Sequence, residues 1–289
     1  MGRYWQVNDE GLLVNDAHRA AIAPEYGPLL DDLIARVTQA IGGDVHSIVL
    51  SGSVARGLAR PGDSDLNAIV VLEESVDPEL VLQGWIAPAE RDLARAYPAL
   101  VREVQIEVWP QGEIFRDPAE FSIAAFILRT QALCLWGSSL EPELPDYSLR
   151  HTATRIAIAN DDIVQFADDL AEARAALAED LRPRAVQGWC RQICKQMLRT
   201  GFGLVSVALE RYTRDVDLCA QDFAQGFPAQ AAAIQQALTW TRHPAADAGA
   251  VRPFLADFGA WLEDACAAWL DRNNPARALY YRFEDEEMG

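Results

Sequence analysis

The residue types best suited to chemistry lie between positions 52 and 67. Gly52 and Ser53 follow a short apolar run, and Asp65 and Asn67 enter a second apolar run after a glycine-containing loop. Small residues allow backbone N–H groups to approach phosphate oxygens closely. Carboxylate and amide oxygens are ligands that Mg²⁺ accepts in proteins. The pattern therefore predicts a site that binds a phosphate group together with a metal ion.

Two buried strands are needed to position these residues. Residues 48–50 and 68–72 are continuous apolar runs, which are typical of buried strands. On a strand, side chains two positions apart point to the same face. We therefore expect Asp65 and Asn67 to project together toward the group that the Gly52-Ser53 turn holds.

A third strand is predicted over residues 101–109. Apolar and polar residues alternate there, in the order Glu103, Val104, Gln105, Ile106, Glu107, Val108. A period of two is typical of a strand with one buried and one exposed face. Glu107 is therefore expected to point away from its apolar neighbours, on the same face as Glu103.

Gly52-Ser53 and the later Ser64-Asp65-Leu66-Asn67 resemble the signature of the polymerase-β-like nucleotidyltransferases. Ala55-Arg56-Gly57 resembles the loop of small bacterial members. The resemblance implies that Gly52, Ser53 and Ser64 bind the triphosphate of ATP or another NTP, and Arg56 is a further phosphate candidate.

The same resemblance implies the catalytic and metal-binding roles. Family members carry a third carboxylate on the strand that matches residues 101–109, as a metal ligand or as the general base. Asp65, Asn67 and Glu107 would then hold Mg²⁺, with Asp65 and Glu107 as the catalytic residues and Glu107 as the base. Glu103 competes for that role, and a strand that carries solvated acids is the simpler alternative.

Asn67 departs from the family pattern, which has a carboxylate at this position. Its amide oxygen can still ligate magnesium but brings no negative charge, and two-metal phosphoryl transfer uses that charge to hold the ions. Asn67 is either a weakened ligand or a remnant in a chain that no longer turns over. Asp63 could supply a substitute carboxylate, although it precedes the strand.

The second half of the chain is helical by its apolar periodicity. The first predicted helix carries a stripe of apolar residues from residue 156 to residue 177. Three further helices are predicted over residues 189–208, 229–241 and 253–270. We predict an α+β protein in which a nucleotidyltransferase domain, residues 1–148, precedes an all-α helical-bundle domain, residues 149–289. The first domain would contain a small mixed sheet flanked by helices.

Arg191, Lys195 and Arg199 are spaced four residues apart and form a cationic stripe on one predicted helix. The resemblance implies that Arg191 and Lys195 contact the triphosphate, because basic residues of the helical domain do so in two-domain nucleotidyltransferases. A solvated helix face is the alternative. Tyr212 either reaches the nucleotide or belongs to a capping turn around Thr213.

Composition limits the partners. The formal charge is −18, from 43 acidic and 25 basic residues. Such a surface disfavours nucleic acid, whose binding depends on phosphate neutralisation, and favours a cationic or neutral small molecule or a basic protein.

Five cysteines without a Cys-x-x-Cys pair favour a reducing, cytoplasmic location. We predict neither a signal peptide nor a membrane span, and the sequence gives no prediction of the oligomeric state.

Three functional hypotheses follow. The first is a cytoplasmic nucleotidyltransferase that moves a nucleoside monophosphate, AMP from ATP, to a hydroxyl of a small acceptor such as a cationic aminoglycoside. In layout the chain resembles the streptomycin- and spectinomycin-type adenylyltransferases. The second is a nucleotide-binding pseudoenzyme or regulatory protein of the same fold, which Asn67 favours. The third is a toxin-type transferase that modifies tRNA or a protein.

Overall fold

The computed structural model describes residues 3–78, 84–115 and 121–279. These residues form two compact units. One unit holds residues 6–147, and the other holds residues 148–279 together with residues 3–5. The assignment of residues 1–148 and 149–289 to two functional domains stays a prediction.

The first unit contains a mixed four-stranded sheet among its described residues, which confirms the predicted α+β class. The strands are β1 Val45–Ser51, β2 Leu66–Leu72, β3 Val104–Pro110 and β4 Leu133–Gly137. Their order is β3-β2-β1-β4; β1 is antiparallel to β2 and β4, and β2 is parallel to β3. Strand β4 was not predicted, since its five residues are only partly buried and show no clear alternation.

Both faces of the sheet are covered. Ile48, Leu50 and Val70 lie in one apolar cluster with α-helical residues. Val49 and Ile69 lie in a second cluster on the other face. This double burial explains why β1 and β2 read as unbroken apolar runs. Strand β3 lies at an edge and keeps the predicted alternation, with residues 105 and 107 exposed.

Five α-helices of the first unit lie among the described residues. They are α1 Gly27–Ile41, α2 Gly52–Ala55, α3 Ile86–Ala96, α4 Gln111–Ile114 and α5 Ile123–Thr130. The 3-10 turn Pro24–Tyr26 precedes α1. The dipeptide Asp117-Pro118, whose residue types are typical of a helix start, lies outside the described residues. The side chain of Ser122 caps α5, accepting the Ala125 N–H at 3.2 Å.

The second unit is helical throughout its regular elements. These are α6 Thr152–Glu179, α7 Pro183–Leu209, α8 Val216–Gly226, α9 Ala231–Arg242, α10 Ala248–Phe254 and α11 Ala260–Asn273. Helix α8 was not predicted. The predicted start of a helix at Pro253 is wrong, because Pro253 lies inside α10 and is followed by the π-helical segment Leu255–Gly259. Proline removes a backbone hydrogen bond, which favours such a local change in winding.

In the part of the chain that the structure describes, no helix has the length and apolar character needed to cross a bilayer. The five cysteines, all within that part, are free thiols.

Candidate active site

The turn after β1 packs directly against β2. Gly52 has a φ of +75°, in the left-handed region that favours glycine. A Cβ atom at this position would lie 2.8 Å from Nδ2 of Asn67. The register of the two strands places Ser51 beside Asn67. The glycine-serine turn and the predicted ligand strand therefore meet at the Asn67 amide.

Asn67 has an unsatisfied acceptor. Its Oδ1 atom is buried and makes no hydrogen bond with the described residues. Buried polar atoms are nearly always paired, so an orphan of this kind indicates a water molecule, an ion or a ligand group at that point. Across the parallel pair, Asn67 lies beside Gln105, and Ile69 lies beside Glu107.

Asp65 is bound by an arginine that the sequence analysis did not single out. Nη2 of Arg102 lies 2.8 Å from both carboxylate oxygens of Asp65. The Arg102 backbone N–H donates to the Ser64 carbonyl at 3.0 Å, and the Leu66 N–H donates to the Glu103 carbonyl at 2.9 Å. These bonds extend the β2–β3 pairing backward and bring Arg102 beside Asp65. Only the strand register could have indicated this contact.

Glu107 has an exposed side chain that points away from Ile106 and Val108, as predicted. Its Oε2 atom accepts a hydrogen bond from Trp109 Nε1 at 3.0 Å, which orients the carboxylate. Glu103 shares its face and directly precedes the residue that pairs with Leu66. In register, Glu103 is the carboxylate closer to Asp65, and both acids remain candidates for the base.

Arg56 and Ser64 are engaged in local structure. Arg56 is only 4% exposed, and its Nε atom lies 2.7 Å from Oδ2 of Asp16. The Ser64 hydroxyl accepts the Arg60 N–H at 2.8 Å and closes the loop before β2. The phosphate contacts of Arg56 and Ser64 stay predictions.

The comparison with known families agrees with this geometry. Residues 31–124 match the family model of the nucleotidyltransferase domain. The matched region contains the Gly52-Ser53 turn, β2 and β3, and it supports a transferase whose general activity is nucleotidyl transfer. No curated protein matches the chain.

Nucleotidyltransferase domains generally use a divalent metal ion, so the fit of these side chains to such an ion matters. Within the described ranges, no group of three or more His, Cys, Asp or Glu side chains could hold a metal. Both oxygens of Asp65 already contact Arg102, and Asn67 offers an uncharged oxygen. As they lie, these side chains do not fit a two-ion site.

The cationic stripe, Arg191, Lys195 and Arg199, lies on α7 in the helical unit. The Nε atoms of Arg191 and Arg199 are buried and have no hydrogen-bond partner among the residues described. Burial lowers the pKa of Arg199, and repulsion from Arg214 lowers it further. Burial lowers the pKa of Arg214, but its ion pair with Asp162 and its interaction with Tyr212 together raise that pKa above its usual value.

Tyr212 belongs to the core of the helical unit. It is 7% exposed, and its ring centroid lies 4.4 Å from that of Trp5 and 5.8 Å from that of Phe202. Burial is the main cause of its raised pKa. Thr213 accepts the Asp215 N–H at 3.1 Å, which is the local turn that the sequence offered as the alternative. A nucleotide contact by Tyr212 stays a prediction.

Proposed function

We propose that the protein transfers a nucleoside monophosphate, AMP from ATP, to a hydroxyl of a small acceptor. The observation that carries this proposal is the packing of Gly52 against Asn67 inside a region that matches the nucleotidyltransferase domain. Strand β3, which carries the acidic residues Glu103 and Glu107, pairs directly with β2. One of these carboxylates could accept the proton of the acceptor hydroxyl.

The reaction is an in-line displacement at the α-phosphorus. The acceptor oxygen forms a bond to phosphorus, the bond to the pyrophosphate oxygen breaks, and the acceptor proton passes to a carboxylate. Positioning and charge neutralisation supply most of the acceleration in phosphoryl transfer. In this chain, backbone N–H groups of Gly52 and Ser53 would bind the triphosphate. Glu107, held by the Trp109 indole, would take the proton.

The helical unit has a candidate anion-binding face of its own. Arg191 and Arg199 have buried Nε atoms without hydrogen-bond partners among the described residues, which makes them suited to an anion. Lys195 lies between them on the same helix. The net charge of −18 favours a cationic acceptor, and an aminoglycoside is the example we propose.

A second candidate is a nucleotide-binding protein that does not turn over. Two observations favour it. Asn67 replaces a carboxylate, and Arg102 contacts both oxygens of Asp65. Magnesium as the required ion thus rests on the family resemblance rather than on the side-chain arrangement.

Substitution of Glu107 by Gln tests the proposal. Gln keeps the acceptor for the Trp109 indole but cannot take a proton. We expect pyrophosphate release, measured with ATP and a panel of hydroxyl acceptors, to fall at least about 100-fold. ATP binding measured by calorimetry should change by less than about threefold, since the base adds little to ground-state affinity.

Glu103→Gln is the matched control, because it removes a carboxylate from the same face of β3. It should retain turnover. The reverse pattern would assign the base to Glu103. Tight ATP binding by the unmodified protein without pyrophosphate release for any acceptor would support the second candidate.

A further inference from the structure

Arg102 holds the carboxylate that a metal-dependent site would use for its ion. Its Nη2 atom contacts both oxygens of Asp65, and the two side chains are 30% and 20% exposed. Solvent screens the charges of a partly buried ion pair less than those of a fully exposed pair. The positive charge of Arg102 therefore acts on any cation that approaches Asp65.

The neighbouring residues offset this positive charge only in part. Asn67 brings an uncharged amide, and the pair of Asp65 with Arg102 sums to zero charge. Strand β3 adds Glu103, which is the carboxylate closer to Asp65 in register, and Glu107, whose Oε2 atom accepts from Trp109 Nε1. A divalent ion at this point would meet repulsion from Arg102 and only partial compensation from β3.

We propose that Arg102 takes the place of a cation beside Asp65, and that divalent ions bind there weakly until Arg102 leaves the carboxylate. This inference rests on the proposed function only in placing the nucleotide site at Asp65 and Asn67. Arg102 thereby sets how far the site depends on a divalent ion. Its removal frees two carboxylate oxygens two residues before Asn67, whose amide oxygen makes no hydrogen bond with the described residues.

Calorimetric titration with MnCl₂ in the absence of nucleotide tests the proposal. We expect Arg102→Gln to bind Mn²⁺ at least about tenfold more tightly than the unmodified protein, because the competing cation is gone. Arg102→Lys keeps a positive charge and should stay within about threefold of the unmodified protein. Arg102→Gln combined with Asp65→Asn should lose the gain, which locates the ion at Asp65.

Arg36→Gln is the matched control. Arg36 lies in the same unit, its side chain is 34% exposed, and it pairs with Asp32 at 3.1 Å. It should leave Mn²⁺ binding unchanged. A gain in Arg36→Gln equal to that in Arg102→Gln, or no gain in Arg102→Gln, overturns the proposal.

A measurement on the unmodified protein covers the case in which Arg102→Gln does not fold. The side-chain Nε–H signal of Arg102, assigned through the Arg102→Lys spectrum, should shift as MgCl₂ is titrated to saturation. Saturation at Asp65, followed by the Asp65 carboxyl signal, with an unchanged Arg102 signal would refute the competition.

The outcome is separable from that of the proposed function, since metal binding is measured without turnover. Absence of pyrophosphate release together with a gain of Mn²⁺ affinity in Arg102→Gln rejects the transferase proposal and keeps this one. Pyrophosphate release without a gain of Mn²⁺ affinity in Arg102→Gln keeps the transferase proposal and rejects this one.

Discussion

Substitution of Gly52 by Ala probes the contact on which the candidate site depends. Two separate costs are expected. An alanine at a φ of +75° adopts the left-handed conformation, which costs about 1–2 kcal/mol. Its Cβ atom would lie 2.8 Å from Nδ2 of Asn67, so the amide must move. Displacing a side chain from its rotamer costs about 1 kcal/mol, which gives a total of about 2–3 kcal/mol.

Gly62→Ala separates the two costs. Gly62 has a φ of +73°, but the nearest atoms to its added Cβ, carbonyl oxygens of Pro98 and Ala99, lie at 3.6 Å or more. It should therefore show the backbone cost alone, about 1–2 kcal/mol. The effect of alanine on the unfolded chain is shared by both variants and cancels in their difference.

Urea unfolding followed by tryptophan fluorescence measures this difference, and a double-mutant cycle identifies its origin. In an Asn67→Ala background the remaining Cβ atom is an ordinary contact at 3.9 Å, so Gly52→Ala should cost no more than Gly62→Ala. Equal costs for the two glycines in the unmodified background would refute the packing of Gly52 on Asn67. A difference that survives Asn67→Ala would refute it as well.

The remaining predictions concern the helical unit. Gly201→Ala should destabilise the protein by about 3 kcal/mol, because the added Cβ would lie 2.0 Å from Cε1 of the buried Phe223 ring. Gly188→Ala on the same helix meets no atom within 4 Å and should stabilise by about 0.5–1 kcal/mol; similar urea midpoints for the two variants would contradict this. Burial and the hydrogen bond to Asp222 raise the pKa of Tyr4 from 10.0 to about 12. The protonated Tyr4 hydroxyl therefore contributes its full stabilisation of the fold below about pH 10, and this stabilisation is lost as pH rises toward about 12. Tyr4→Phe should therefore lose less stability than the unmodified protein between about pH 9 and pH 12 in urea unfolding, and identical pH profiles would exclude this linkage.

Local sequence patterns determined the fold class and the position of the candidate site. Apolar runs, a period of two in β3 and helical periodicity after residue 150 are each visible within a short window. They predicted β1, β2, β3 and most of the later helices. The Gly52-Ser53 turn and the residues around Asp65 were likewise recognisable from type and spacing alone.

The tertiary structure decided which partner each polar side chain takes. Arg102 contacts Asp65 across 37 residues, and Arg56 contacts Asp16 across 40 residues. The burial of Tyr212 against Trp5 depends on a contact of the same long-range kind. Such contacts follow from strand register and from the packing of distant segments, and a local window contains neither. The sequence by itself therefore predicted the position of the candidate site, while the fold determined that the Asp65 carboxylate is already bound by an arginine.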